Sequence, residues 1–310
     1  MEGCHMTIID GDTLKEAYKN AANIDDREKE TAYKMIDQQI EAQKEKFDML
    51  VYDPDWTVRR VAARLNCGLD ILVNDPSQPV RMEVAKQGYG LDQLINDSEW
   101  PVRAEVAKRG YGLDVLIHDL DMHVRETVAK QGYRLDILIR DSDRAVREEV
   151  ANKGYGLDVL VHDPDMHVRY AVARQGYRLD ILMHDPSSYI RAEVAEQGYG
   201  LEQLVNDPDY TVRTEVARQG YGLDQLVNDP EISVRVVVAR QGYGLDQLIN
   251  DPVATVRMEV AMQNYGLMKL IHDPSTVVRD CAEKQLRKRA AEQNLPEPKF
   301  SRPKTKGKVR

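Results

Sequence analysis

The 310-residue sequence is poor in the features that mark several common protein classes. It contains three widely separated cysteines and no Cys-x-x-Cys pair. This pattern indicates neither a disulfide framework nor a zinc or iron–sulfur site. No stretch approaches the roughly 18 consecutive apolar residues of a membrane helix. The first twelve residues also lack the basic region and apolar core of a secretory signal. We therefore expect a cytoplasmic protein.

Phe and Trp are also scarce, and basic side chains are fewer than acidic ones. Two Phe and two Trp stand against fifteen Tyr, and 43 basic side chains stand against 52 acidic ones. The resulting net charge of −9 argues against a globally basic nucleic-acid binder. The composition, 42% hydrophobic and 31% charged, is typical of a folded chain. No alternation of apolar and polar residues favours β-strands.

The chain contains an internal repeat of constant length. A Val-Arg or Ile-Arg pair recurs every 22 residues, eleven times between Arg59 and Arg279. Counted from the Asp six residues before each Arg, the repeat reads D-P-D-x-x-V-R-x-E-V-A-x-Q-G-Y-G-L-D-x-L-I-x, and its residues are called positions 1 to 22 below. One such unit cannot bury its apolar face alone, so the units must stack. The sequence thus predicts an all-α fold, a right-handed α-solenoid of eleven repeats.

Each repeat carries signals for one long and one short helical element. Asp at position 1 is followed by Pro in eight copies, which predicts a helix that starts there with an N-cap and an N1 proline. Position 14 is Gly in eight copies and Asn in two, which predicts a left-handed helix end after three turns. The apolar residues at positions 17, 20 and 21 predict a short helical or 3₁₀ turn.

The sequence outside the repeats predicts two further regions. Residues 1–46 are predicted to form a helical N-terminal cap, because Thr13 and Glu16 make a capping-box pattern before an amphipathic stretch. The α-solenoid is assigned to residues 47–291. Residues 292–310 are rich in proline and basic side chains and are predicted to be a disordered tail. This tail either keeps the chain in solution or acts as an electrostatic arm for an acidic partner or nucleic acid.

The repeat motif resembles two known families. The stretch D-P-x-x-x-V-R-x-x-V-A resembles the second helix of HEAT-like repeats, and a helix paired with a very short second element resembles the leucine-rich repeat variant family. The resemblance covers about residues 47–286 and implies that the long helices line a groove. Iron–sulfur members of the variant family use a cysteine cluster, and HEAT-like di-iron hydroxylases use His-Glu pairs. This sequence has neither.

These observations favour a protein without enzymatic activity, cofactor or metal. No nucleophile, phosphate-loop or paired-carboxylate motif stands apart from the repeat. His118 with His123, and His162 with His167, could each offer two metal ligands, but no third partner is identifiable. Surface histidines are the favoured interpretation. A HEAT-like DNA-repair enzyme, which would place an Asp among Trp residues in a basic cleft, remains a weaker alternative.

The most regular positions are interpreted as framework, since a site is not built eleven times over. Arg at position 7 is predicted to bridge to Asp at position 1 of the same or an adjacent repeat. Tyr at position 15 occurs nine times and is predicted to be buried between repeats with its hydroxyl at the edge. Function is therefore expected where the repeat varies.

Positions 4, 5 and 8 point away from the core on a helical wheel, yet they carry large apolar and aromatic residues. Exposed residues of this kind typically mark interaction surfaces, so we predict that a protein or peptide partner binds here. The predicted partner-binding face comprises Trp56, Arg60, Met82, Trp100, Met122, His123, Arg144, Met166, His167, Tyr170, Tyr189, Tyr210 and Ile232.

A basic edge borders this face at position 12. Two interpretations are open: the cations pair with Glu three residues earlier, or they neutralise an acidic or phosphate-bearing ligand. Positions 4, 5, 8 and 12 together hold ten basic and four acidic residues, a net charge of +6. Nucleic-acid binding through this edge and the tail is the alternative function. The basic edge comprises Arg64, Lys86, Lys108, Lys130, Arg174, Arg218 and Arg240.

Overall fold

The computed structural model describes residues 49–296 together with residues 298 and 300. Every regular element in this part of the chain is an α-helix. The predicted N-terminal cap, residues 1–46, and residues 301–310 of the predicted tail lie outside the described residues. The chain divides into two compact units between Leu138 and Ile139, and each is described separately.

In the first unit, residues 49–51 are helical, and nine- or ten-residue helices then alternate with four-residue helices. The long helices are α1 (Trp56–Arg64), α3 (Gln78–Gln87), α5 (Trp100–Lys108) and α7 (Met122–Lys130); the short ones are α2 (Leu69–Leu72), α4 (Leu91–Leu94), α6 (Leu113–Leu116) and α8 (Leu135–Leu138).

The second unit continues the alternation and closes with a longer helix. Its long helices are α9 (Arg144–Asn152), α11 (Met166–Arg174), α13 (Ser188–Glu196), α15 (Tyr210–Arg218), α17 (Ile232–Arg240), α19 (Ala254–Met262) and α21 (Thr276–Glu292); its short ones are α10 (Leu157–Leu160), α12 (Leu179–Leu182), α14 (Leu201–Leu204), α16 (Leu223–Leu226), α18 (Leu245–Leu248) and α20 (Leu267–Leu270).

Within each unit, consecutive long helices pack side by side and each short helix packs on its neighbours. The core repeats with the sequence: Val80, Val84 and Ala85 of α3 and Leu94 of α4 are fully buried, and the same positions are buried in each repeat from Val102 to Leu270. Val at positions 6 and 10 shares one helix face, and Ala at position 11 permits close approach of the next helix. The predicted stacking of 22-residue helical repeats into an α-solenoid is confirmed within each unit.

The predicted start of the long helices is wrong by two residues. The N-cap is position 3, in extended backbone, and the helix begins at position 4. In α1, the Asp55 side chain accepts a hydrogen bond from the backbone N–H of Thr57. Asp at position 1 instead shapes the preceding turn: the Oδ1 atom of Asp75 accepts the backbone N–H of Ser77 at 2.8 Å. The Asp-Pro pair therefore belongs to the loop.

The predicted helix ends are confirmed. Gly88 has a φ of 79°, and Asn66 and Asn264, which replace glycine at this position, have a φ of 60°. Asn is one of the few non-glycine residues that adopts this left-handed conformation. Leu286 takes the position in the eleventh repeat, and α21 continues past it to Glu292.

Arginine at position 7 clamps successive repeats together. Arg59 donates from Nε and Nη2 to the two carboxylate oxygens of Asp75 in the next repeat, at 2.6 and 3.0 Å. Its Nη1 atom donates to the carbonyl oxygen of Asp53 at 2.7 Å. The predicted bridge to an adjacent repeat is confirmed for this pair and for its equivalents. The equivalent pairs are Arg81–Asp97, Arg103–Asp119, Arg147–Asp163, Arg169–Asp185, Arg191–Asp207, Arg213–Asp229, Arg235–Asp251 and Arg257–Asp273.

The predicted burial of the position-15 tyrosines is wrong. Seven of the nine are between 41% and 43% exposed, Tyr221 among them, and Tyr133 and Tyr177 are half-buried. Between repeats it is position 21 that packs: a Cγ2 atom of Val73 lies 2.6 Å from where a Cβ atom of Gly90, at position 16, would be. The tyrosine rings at position 15 lie at the surface.

Candidate partner-binding face

Position 4 is the first residue of each long helix, so its side chain leaves the end of the helix toward solvent. In the first unit, Trp56 is 41% exposed and Trp100 is 39% exposed. Met82 and Met122 are half-buried. Arg60 is also half-buried, because it pairs with Glu83 of the next helix at 3.2 Å.

Trp100 and His123 form a stacked pair across the helices α5 and α7. Their ring centroids are 4.4 Å apart and the ring planes differ by 19°. The imidazole Nδ1 atom lies 2.9 Å from Oδ1 of Asp121, the N-cap of α7, and the backbone N–H of His123 donates to the same oxygen. The stack therefore presents two aromatic rings in a fixed orientation.

The second unit presents a similar set of side chains. Tyr189 is 70% exposed, Tyr210 is 47% exposed and Ile232 is 43% exposed. Tyr170 is less available, because its hydroxyl is hydrogen-bonded to the carboxylate of Glu193; this bond, together with burial, raises the pKa of Tyr170. Of the remaining predicted residues, Arg144 and His167 are exposed and Met166 is half-buried.

Most cations of the predicted basic edge are already paired. Lys108 lies 2.9 Å from Glu105, and Lys130 lies 2.6 Å from Glu126. Arg218 is also paired with Glu215 of its own helix. Arg174 has no carboxylate within ion-pair distance in the described part of the chain. These contacts support the interpretation that the cations pair with neighbouring glutamates. The remaining pairs are Arg64 and Lys86 with Glu83, and Arg240 with Glu259.

Position 9 also contributes charge to this surface. The net charge of +6 was summed over positions 4, 5, 8 and 12 only. The helical wheel places position 9 near the core, but the structure places its glutamates within reach of the cations, often in the neighbouring repeat: Glu259 lies 3.1 Å from Arg240. Position 9 is Glu in six repeats, so these residues cancel the net charge of the face. In the sequence, the signal for these ion pairs was the spacing of three residues between Glu at position 9 and the cation at position 12. The pairing cancels the net positive charge of this face, on which the nucleic-acid alternative partly depended, although guanidinium groups such as that of Arg240 remain exposed.

The described residues contain no group of three His, Cys, Asp or Glu side chains arranged to hold a metal ion. None of their helices is long and apolar enough to cross a membrane. Phe300, one of the described residues after α21, contacts this helix: the Arg287 guanidinium lies 5.6 Å from its ring centroid.

Comparisons with known proteins supply no family for this chain. No known family matches it, and no curated protein matches it. One similar solved chain comes from work on tubulin recruitment and assembly by microtubule polymerases with Tumor Overexpressed Gene (TOG) domain arrays. It is 10% identical, and 91% of each chain is covered, but the TM-score is 0.25. A likeness at this level says nothing about function.

Proposed function

We propose that this chain is a non-enzymatic binding scaffold that holds a protein or peptide on the outward-facing starts of its long helices. The observation that carries the proposal is the exposure of Trp56, Trp100, Tyr189, Tyr210 and Ile232. Contiguous exposed apolar residues typically mark interaction surfaces, and Trp and Tyr are the usual anchors of protein interfaces.

The scaffold beneath these residues supports the same function. Tyr210 begins α15, which is tied to its neighbours by the Arg191–Asp207 and Arg213–Asp229 pairs on either side. A side chain mounted on a helix that is fixed in this way loses little conformational freedom when a partner binds. The variable positions can therefore change among repeats while the framework that presents them stays constant.

The proposal is tested by changing one anchor in each unit, Trp100→Ala and Tyr210→Ala, and measuring partner capture and thermal unfolding. We expect capture from native lysate to be lost and the free energy of unfolding to change by no more than about 1 kcal/mol, since both residues are partly exposed. Tyr221→Ala is the matched control, because Tyr221 is equally exposed but lies at position 15. A large loss of stability in Trp100→Ala or Tyr210→Ala would identify these side chains as core and contradict the proposal.

The same capture experiment also tests the alternative function, nucleic-acid binding. Mass spectrometry and nucleic-acid extraction of the captured material are carried out in parallel. Nucleic acid that is retained in both Ala variants and lost at high salt would favour the basic edge and tail. A protein that is lost in both variants and kept in Tyr221→Ala supports the scaffold.

A further inference from the structure

Two cations of the second unit, Arg218 and Arg240, are more exposed than the carboxylates with which they pair. The Arg218 side chain is 54% exposed and that of Glu215 is 19% exposed; the corresponding values for Arg240 and Glu259 are 60% and 7%. The pairs are neutral in sum, but each is layered, with the acid below and the cation at the surface. A molecule that approaches this face meets the guanidinium groups first.

Each guanidinium keeps donors for a second acceptor. Arg240 uses Nε and Nη2 on the two carboxylate oxygens of Glu259, at 3.3 and 3.1 Å, and Arg218 uses Nη1 on Glu215. An arginine has five N–H donors, so Nη1 of Arg240 and both Nε and Nη2 of Arg218 remain available for another carboxylate. Glu259, which is buried, and Glu215, which is half-buried, hold the guanidinium groups in place, which lowers the entropy lost when that carboxylate binds.

An apolar row runs beside these cations. Tyr210 and Ile232 are the first residues of α15 and α17, and Arg218 and Arg240 are the last residues of the same helices. Eight residues of helix separate the two ends by about 12 Å. These two helices therefore present exposed apolar residues at their starts, next to the N-cap residues Asp209 and Glu231, and exposed cations at their ends. Glu196 takes position 12 in α13 and ends the cationic row on that side.

From this arrangement we infer that the partner of the second unit is an acidic polypeptide segment whose apolar side chains contact Tyr210 and Ile232 while its carboxylates bind Arg218 and Arg240. The inference rests on the function proposed above and names the chemistry of its partner. A segment of this class satisfies both rows at once. A basic segment would meet the cations without reaching the glutamates beneath them.

The test uses a random peptide display library selected on the full-length chain, with counter-selection on the Tyr210→Ala/Ile232→Ala variant. We expect the face-dependent peptides to combine Asp or Glu with aromatic or aliphatic residues. Their affinity is expected to fall at least about tenfold, or 1.4 kcal/mol, in Arg218→Glu/Arg240→Glu and to weaken with added salt. Arg178→Glu, which alters an exposed ion pair with Asp180 elsewhere in the same unit, should leave their affinity unchanged.

A second, milder arginine variant is needed in case the Glu substitutions disturb folding. Arg240→Glu places a second acid beside the buried Glu259, so Arg218→Gln/Arg240→Gln is measured in parallel, with helical content checked by circular dichroism. Peptides that need Tyr210 and Ile232 but are neutral or basic would overturn the inference and leave the proposed scaffold standing. A selection that yields no peptide dependent on these two residues would overturn the inference and also contradict the use of this face in the proposed scaffold. Oligonucleotide binding that disappears in the same arginine variants would assign the cations to nucleic acid and also overturn the inference.

Discussion

Arg257 and Asp273 show how single side chains join the repeats. The guanidinium donates to both carboxylate oxygens, at 2.7 and 2.8 Å, and also to the carbonyl oxygens of Asp251 and Pro252. The hydrogen bond from Arg257 lowers the pKa of Asp273, and it outweighs the opposing effect of burial. The same bond raises the pKa of Arg257, so the pair stays ionised at neutral pH.

This clamp predicts loss of stability in acid. A carboxylate whose pKa is lower in the folded state stabilises the fold above its unfolded pKa, about 3.9, and loses that contribution as pH falls through the folded pKa. Arginine contributes no pH dependence there, because its own titration lies far above neutral pH. We expect the free energy of unfolding in urea to be steady between about pH 6 and 8 and to fall below about pH 4. The Asp273→Asn variant should be less stable at pH 7 and less sensitive to acid; equal sensitivity would remove Asp273 from the explanation.

Glycine at position 16 offers a matched comparison of packing. Gly222 and Gly200 have similar positive φ angles, 60° and 65°, so an alanine is strained by the backbone to the same degree in both. They differ in the neighbour that a new Cβ atom would meet. At Gly222 it is Cγ2 of Val205, at 2.5 Å, and at Gly200 it is the terminal Cε of Met183, at 2.6 Å.

We expect Gly222→Ala to destabilise the chain more than Gly200→Ala, by about 1 kcal/mol. A β-branched valine has few rotamers with which to move aside, whereas methionine is flexible. Chemical denaturation of the two variants measures the difference directly. Equal losses would mean that backbone strain alone accounts for the cost, and a greater loss in Gly200→Ala would contradict the packing argument.

At the scale of the helix, α19 lacks a side-chain cap. Its N-cap is Val253, while the equivalent Asp209 of α15 accepts a hydrogen bond from the backbone N–H of Thr211. The residue two positions after Val253 is Thr255, so the local sequence matches that of α15. We expect Val253→Asp to raise the free energy of unfolding by about 1 kcal/mol, as measured by thermal or urea denaturation. Val253→Ala, which offers no acceptor, should bring no gain; a gain in both would assign the effect to loss of the valine.

Helix order and packing were accessible from the sequence because each depends on local chemistry repeated at a fixed spacing. The glycine at position 14 ends a helix wherever it occurs, and valine and alanine at fixed positions bury one face. The start of the helix was misjudged because Asp-Pro is a good cap by itself. Position 1 was predicted to be both an N-cap and an arginine partner, and in the structure the carboxylate of Asp75 pairs with Arg59 and does not cap the helix.

The candidate site was predicted less completely than the fold. The exposure of Trp100 and Tyr210 followed from helical periodicity, and the structure agrees with it. The role of Glu259 did not follow, because its partner Arg240 belongs to the preceding repeat. A wheel drawn for one helix contains no information on such contacts. The exposed tyrosines at position 15 were missed for the same reason, since their burial depends on what packs between two repeats.

At the scale of the molecule, repetition predicts that a whole repeat can be removed. Each long helix in a unit packs against the long helices before and after it, so stability approximates a sum of repeat and neighbour terms. Excision of residues 207–228 removes one period of 22 residues and leaves the flanking sequence in phase. Each residue before the cut then faces a neighbour of the same type, taken from one repeat later.

The new junction shows why the shortened chain should fold. Arg191 loses Asp207 but meets Asp229, and Val205, which lies against Gly222, meets Gly244 instead, a glycine with the same φ of 60°. We expect cooperative urea unfolding, unchanged helical content per residue by circular dichroism, and a lower free energy of unfolding, because one repeat interface is gone. Excision of residues 207–217, half a period, should abolish cooperative unfolding, since it removes Asp207, the partner of Arg191, and leaves the repeats on the two sides of the cut out of phase. If the two deletions behaved alike, the 22-residue period would not be the unit of stability.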